Sequence, residues 1–199
     1  MTRQLLLATL LVATQGVCFA QNYEITPFLG WRTSSSLEDN NTGDSIDLKE
    51  TGSFGIILSM KQKRDSNYDF LFSRQHTELQ SSSSTAGPTA LRFDYYHLGG
   101  TVFYDHDDLH PFISGGLGAT HISPANDNFS SETNFSLSIG GGLKFPFSQN
   151  TGLRLEARGY GTVVDSDGSL LCANGVCVAR FTGSLFIQFE AFAGFTVAF

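Results

Sequence analysis

FTGSLFIQFEAFAGFTVAF, residues 181–199, alternates all the way to its last phenylalanine. Phe181, Gly183, Leu185, Ile187, Phe189, Ala191, Ala193, Phe195, Val197 and Phe199 share one parity and are nearly all apolar. Thr182, Ser184, Gln188, Glu190, Gly194 and Thr196 share the other. Successive side chains of a β-strand point to opposite faces, so a period of two predicts a strand with one apolar and one polar side.

Seven segments upstream repeat the pattern. The first sets Tyr23, Ile25, Pro27, Leu29 and Trp31 against Glu24, Thr26, Phe28, Gly30 and Arg32. The second sets Phe54, Ile56, Leu58 and Met60 against Ser53, Gly55 and Ser59, with Ile57 as an exception. The third shows Tyr68, Phe70 and Phe72 on one side before Arg74 and His76 interrupt it. In the fourth, Tyr96, Leu98, Gly100, Val102 and Tyr104 oppose His97, Gly99 and Thr101, with a tyrosine at each border of the apolar stretch. The fifth has Ile113, Gly115, Leu117 and Ala119 opposite Ser114, Gly116, Gly118 and Thr120. Phe135 to Phe145 and Leu153 to Val163 supply the sixth and seventh. Each is long enough to cross hydrocarbon when tilted. The fold class is therefore all-β, and the expected architecture is a closed, eight-stranded, antiparallel transmembrane β-barrel with up-and-down meander order.

The connections run long and short by turns. Lys61 to Ser66, Asp105 to His110 and Pro146 to Asn150 are short; Ser34 to Lys49, Glu78 to Thr89, Ser123 to Thr133 and Asp165 to Ala179 are long. Barrels of the bacterial outer membrane have short periplasmic turns and long external loops. That rule puts both termini in the periplasm.

The N-terminus reads as a secretory signal over residues 1–20: basic Arg3, apolar Leu5 to Val12, and Cys18-Phe19-Ala20 before the cleavage point. Gln15-Gly16-Val17 is a poor lead-in for acylation of Cys18. Residues 21–199 then form one domain. Cys172 and Cys177 remain as a pair in an exported chain, which predicts a disulfide. It closes a small loop and contributes roughly 2 kcal/mol in the loop-closure picture. Asn174-Gly175 between them favours a hairpin turn. A formal charge of −7 argues against nucleic acid as a partner.

Tyr96 to Tyr104, His110 to Ala119, Gly140-Gly141-Gly142 and the closing Phe195, Val197 and Phe199 resemble the eight-stranded outer-membrane barrels of the OmpA-type transmembrane domain and the OmpX family. The resemblance covers the mature chain, without the peptidoglycan-binding domain of OmpA. It implies a Gram-negative outer membrane, with Phe195, Val197 and Phe199 as the signal read by the barrel-assembly machinery. It also implies a monomer in contact with lipid and lipopolysaccharide, protruding strands for surface partners, and no cofactor.

Eight strands leave a lumen that side chains can fill. The polar parity carries Glu24, Arg32, Lys144, Arg154, Glu156, Arg158 and Glu190. In a low-dielectric interior these charges must pair, and Glu156 or Glu190 is expected to bridge Arg154 or Arg158. A polar plug is the principal reading; a narrow ion or solute pore through that lumen is the alternative. His121-Ile122-Ser123 resembles the histidine–serine pair of lipid A deacylases, with Glu132 as an acidic partner, and makes a lipid-modifying hydrolase the other alternative. The principal expectation is a non-enzymatic protein. His106 and His110 beside Asp105, Asp107 and Asp108, and Asp165-Ser166-Asp167-Gly168, read as solvated turns rather than metal sites.

Overall fold

Residues 22–34, 37–38, 45–80, 89–104, 109–124, 131–163, 172–173, 176–177 and 185–199 are described in a computed structural model of the chain. The signal segment 1–20, the acidic turn 105–108, the 165–168 loop, Asn174-Gly175 and residues 181–184 lie outside them.

Alternation becomes eight long strands: β1 Tyr23–Ser34, β2 Thr51–Lys63, β3 Ser66–Gln80, β4 Thr89–Phe103, β5 His110–Pro124, β6 Glu132–Pro146, β7 Thr151–Val163 and β8 Leu185–Ala198. Each pairs antiparallel with its chain neighbours, and β8 pairs with β1. Reciprocal bonds between Tyr23 and Phe199, at 3.3 and 3.0 Å, finish the closure. The start of β1 and the residue after β8 therefore meet at one end of the barrel, called here the terminal end.

The register fixes the tilt. Opposed pairs lead from Tyr23 through Met60, Tyr68, Gly100, Gly115, Ile139, Gly159 and Phe189 to Thr33. One circuit thus returns to β1 ten positions further along. A stagger of that size in eight strands inclines them by roughly 40° to the axis.

Parity decides the two faces. Leu29, Leu98 and Ile139 are 74, 69 and 66% exposed, whereas Arg32, Ser73, Tyr95, Thr120 and Gln188, on the other parity, are wholly buried. A face of naked leucine and isoleucine around a core of arginine and glutamine is the reverse of a water-soluble protein. Ile57, the exception in the second segment, is a lumen residue and fully buried. It stands opposite Leu71, near the level of the stacked Phe28–Phe192 pair (centroids 4.2 Å apart).

Strand β3 corrects the sequence reading. Arg74 and His76 do not interrupt it; the strand runs on to Gln80, paired with β4 throughout. Both residues keep the outward parity, and Arg74 finds Asp94 directly across on β4. The apolar signal stops there while the hydrogen-bond ladder continues.

Four short strands lie at the end opposite the termini: Leu37–Glu38 pairs with Ser45–Leu48, and Cys172–Ala173 pairs with Val176–Cys177. The second ladder sets Cys172 directly opposite Cys177. Their side chains are outside the described residues.

Candidate functional site: the charged lumen

Many lumen-facing positions of the strands are polar and buried, where an unpartnered group is costly. The charged ones find partners in layers, while the Ser53 and Ser59 hydroxyls on β2 make no side-chain hydrogen bond.

At the terminal end, Lys144 on β6 donates to both carboxylate oxygens of Glu24 on β1, at 2.7 Å each. Its ammonium also sits 5.4 Å from the Phe103 ring. This pair is partly exposed and faces a mouth of about 610 Å³ that Lys61, Arg64, Asp65 and His110 also line.

Deeper, Glu156 on β7 holds two arginines of its own strand. Its Oε2 accepts from Arg154 Nε at 2.8 Å, and its Oε1 accepts from Arg158 Nε at 2.9 Å and from Ser114 at 2.6 Å. Spacing of two along a strand puts all three on one face, so a single carboxylate can serve both cations. Arg154 also donates to the Thr101 hydroxyl at 3.0 Å, and Thr101 donates to Asp69. Arg158 donates to Ser138, which with Ser136 brackets the ring of His97 at 2.8 and 2.7 Å.

The next layer centres on Glu190 of β8. It accepts from Arg32 at 2.9 Å, Ser73 at 3.0 Å and Tyr160 at 2.6 Å. Arg32 also donates to Ser73. Its Nε and Nη1 make no hydrogen bond; instead the guanidinium carbon lies 4.7 and 5.0 Å from the centroids of Tyr95 and Tyr160. Above it, Tyr95 donates to Gln188 at 2.7 Å and Thr120 meets Thr162 at 2.9 Å. Leu91, Phe93, Ile122 and Phe186 form a buried apolar layer beyond them.

The structure thus brings the seven sequence-derived residues into three separate groups: Glu24–Lys144, Arg154–Glu156–Arg158 and Arg32–Glu190. Of the two carboxylates expected to bridge Arg154 or Arg158, Glu156 does so and holds both. Glu190 stands opposite both Arg158 and Arg32, on the strands to either side, and pairs with Arg32. Arg158 is already taken by Glu156, two residues away. The seven omit Asp69, Ser73, Tyr95, His97 and Gln188. The outward aromatics of the third segment hid the polar parity of Asn67, Asp69, Ser73 and Gln75, which could have flagged two of them.

His121 and Ser123 both lie on the outward parity of β5. His121 Nδ1 bonds to the Thr133 hydroxyl at 2.8 Å, and Ser123 accepts from Arg92 at 3.2 Å. Glu132 is paired in register with Ile122 rather than with the histidine. Among the described residues, no three His, Cys, Asp or Glu side chains gather as a metal site.

No protein-family model and no curated protein matches the chain. Solved structures do. Neisserial surface protein A superposes with a TM-score of 0.63 at 14% identity, over 89% of this chain and 97% of that one. The outer membrane protein AlkL, solved in DMPC lipid bilayers, gives 0.58 at 13% identity over 94% of each chain. OprG, an outer membrane protein of Pseudomonas aeruginosa, gives 0.56 at 10% identity over 90% and 96%. The chain has the fold of the small eight-stranded outer-membrane barrels.

Proposed function

We propose that this is an integral outer-membrane barrel of a Gram-negative bacterium. In this reading the lumen is a sealed ionic plug, and the working surface is the set of long connections facing outward. The single observation that carries it is the pairing inside: Arg32 is answered by Glu190, and Arg154 and Arg158 by Glu156 and Asp69, in two buried layers. Charges so committed lock the strands in register and leave no free carrier for an ion. A scaffold of this kind holds its loops rigidly and performs no chemistry of its own. The Cys172–Cys177 ladder fits a disulfide-stapled hairpin at the loop end, offering a firm surface to a partner.

Orientation follows from the connections: the terminal end faces the periplasm and the loop end faces outward. Trypsin gives a direct test. Added to intact cells it is expected to cut at loop-end Lys49, and to reach Lys61 and Lys63 at the end of β2 and Arg64 in the β2–β3 turn only after permeabilisation. Cleavage at that turn on intact cells contradicts the orientation.

A further inference from the structure

The lipid-facing parity of the eight strands is almost free of charge, and its exceptions lie together. Among the described residues they are Arg74, His76 and Glu78 on β3, Arg92 and Asp94 on β4, and His121 on β5. Three adjacent strands carry all of them, at the loop end; apart from Lys63, which follows the bulge at the terminal end of β2, the outward side of β1, β2, β6, β7 and β8 carries none.

Their height is set by the strand itself. On β4 and its flanking turn the outward series runs from Tyr104 through Val102, Gly100 and Leu98 to Tyr96, and Asp94 comes next. Ten residues at about 3.3 Å rise, inclined roughly 40°, climb about 25 Å, which is the height of the apolar band of such barrels. Asp94 therefore stands where hydrocarbon gives way to headgroups. On β3 the change from Phe72 to Arg74 marks the same border.

The cluster is built, not scattered. Asp94 is 1% exposed although it points outward, because both arginines cover it. Arg74 holds it with two parallel bonds, Nε to Oδ1 at 2.6 Å and Nη2 to Oδ2 at 2.9 Å. Arg92 Nε lies 3.3 Å from Oδ2, and its Nη2 donates to Ser123. The guanidinium carbon of Arg74 lies 5.4 Å from the centroid of the Phe72 ring. Glu78 is answered separately by Lys49 at 3.5 Å. Two fixed guanidiniums thus share one carboxylate, with a positive charge in excess and their side chains 30 and 40% exposed. A planar guanidinium fork matches phosphate oxygens in two-bond geometry; Asp94 holds the Arg74 fork in place beforehand, and Arg92 is placed beside it by its ion pair to Asp94 and its bond to Ser123.

We infer that Arg74 and Arg92, positioned by Asp94, form a binding site for the phosphorylated headgroup of an outer-leaflet lipid. This rests on the membrane reading above and adds to it a defined lipid site on one side of the barrel. The site tethers a lipid beside β3–β5 and gives the barrel a preferred lipid-facing side.

The test uses mature chain 21–199 refolded in detergent, with its folded state checked by heat-modifiable migration. Native mass spectrometry compares bisphosphorylated lipid A with the same lipid stripped of phosphate. The intact phosphates are expected to improve retention about tenfold. R74Q/R92Q is expected to lose that preference, whereas K61Q/R64Q, which removes two charges at the opposite end, is expected to keep it. R92Q alone leaves the Arg74–Asp94 pair in place and serves should the double variant fail to fold. Equal retention of the two lipids, or an unchanged preference in a folded R74Q/R92Q or R92Q, overturns the site. Displacement of the lipid by an equal concentration of inorganic phosphate overturns the lipid as its occupant. A wild-type chain that refuses to enter vesicles contradicts the membrane reading itself; one that enters and shows no phosphate preference contradicts only this inference.

Discussion

Replacing Glu190 by alanine is expected to destabilise the folded barrel by about 3–5 kcal/mol, the cost of stranding a buried charge. Neither Arg32 nor Glu190 has any exposed side-chain surface. The same carboxylate also takes hydrogen bonds from Ser73 and Tyr160, so its removal unpairs three donors at once. Glu190→Gln keeps the shape and one acceptor oxygen, and its cost is expected to be smaller. Arg32→Met combined with Glu190→Leu removes both charges, and is expected to recover a large part of the loss. The lone tryptophan, Trp31, reports on this directly: it sits beside Arg32 on the exposed face and leaves lipid when the barrel opens. Urea unfolding in vesicles, followed by its fluorescence, gives the midpoints. An alanine variant within about 1 kcal/mol of the parent would mean that Arg32 is solvated and the layer is not sealed.

Gly118→Ala is expected to be as damaging, for a steric reason. A Cβ at Gly118 would lie 1.8 Å from the Tyr96 carbonyl oxygen and 2.8 Å from His97 Cα. Gly99, also on the β4–β5 seam, is equally tight, with the Gly115 carbonyl oxygen 1.9 Å from its Cβ position. Both point into the lumen, the concave side of a sharply curved sheet, where neighbouring backbones converge. Backbone atoms cannot step aside as a long side chain can, so the strain belongs at or above the upper end of the overpacking range, about 3 kcal/mol. Gly115→Ala is the control on the same strand. It points outward, its nearest neighbour is 3.5 Å away, and the expected change is within about 0.5 kcal/mol. The heat-modifiable band should weaken or vanish for Gly118→Ala and persist for Gly115→Ala. Equal behaviour of the two would contradict the crowding at the seam.

The fold was legible because a membrane barrel writes both its solvents into one strand. Leu29 against Arg32, or Phe189 against Glu190, names lipid on one side and a polar core on the other. Period two then needs no tertiary information. Strand ends were less legible. At Arg74 the outward face leaves hydrocarbon while the β3–β4 ladder goes on, so hydropathy marks the membrane border rather than the end of the strand. The lumen was half legible for a related reason. Parity placed Glu156 and Glu190 inside, but partner choice depends on stagger and on competition. Glu190 has an arginine opposite on each side, and only the prior claim of Glu156 on Arg158 sends it to Arg32. Neutral members such as Tyr95 and Gln188 carry no charge signal, yet they surround the ion pair. The Arg74–Asp94–Arg92 cluster was half hidden as well: Arg92 and Asp94 share a face of β4 two residues apart, but Arg74 joins them only across the ladder.

Planar-bilayer recording of the refolded mature chain, with folding verified on the same sample, tests the sealed barrel most directly. The expected result is a silent bilayer at ordinary voltages, the proposed plug being the Arg154–Glu156–Arg158 and Arg32–Glu190 layers. Discrete conductance steps that change when Arg154, Arg158 and Glu190 are neutralised would contradict it, and would make the lumen a pore.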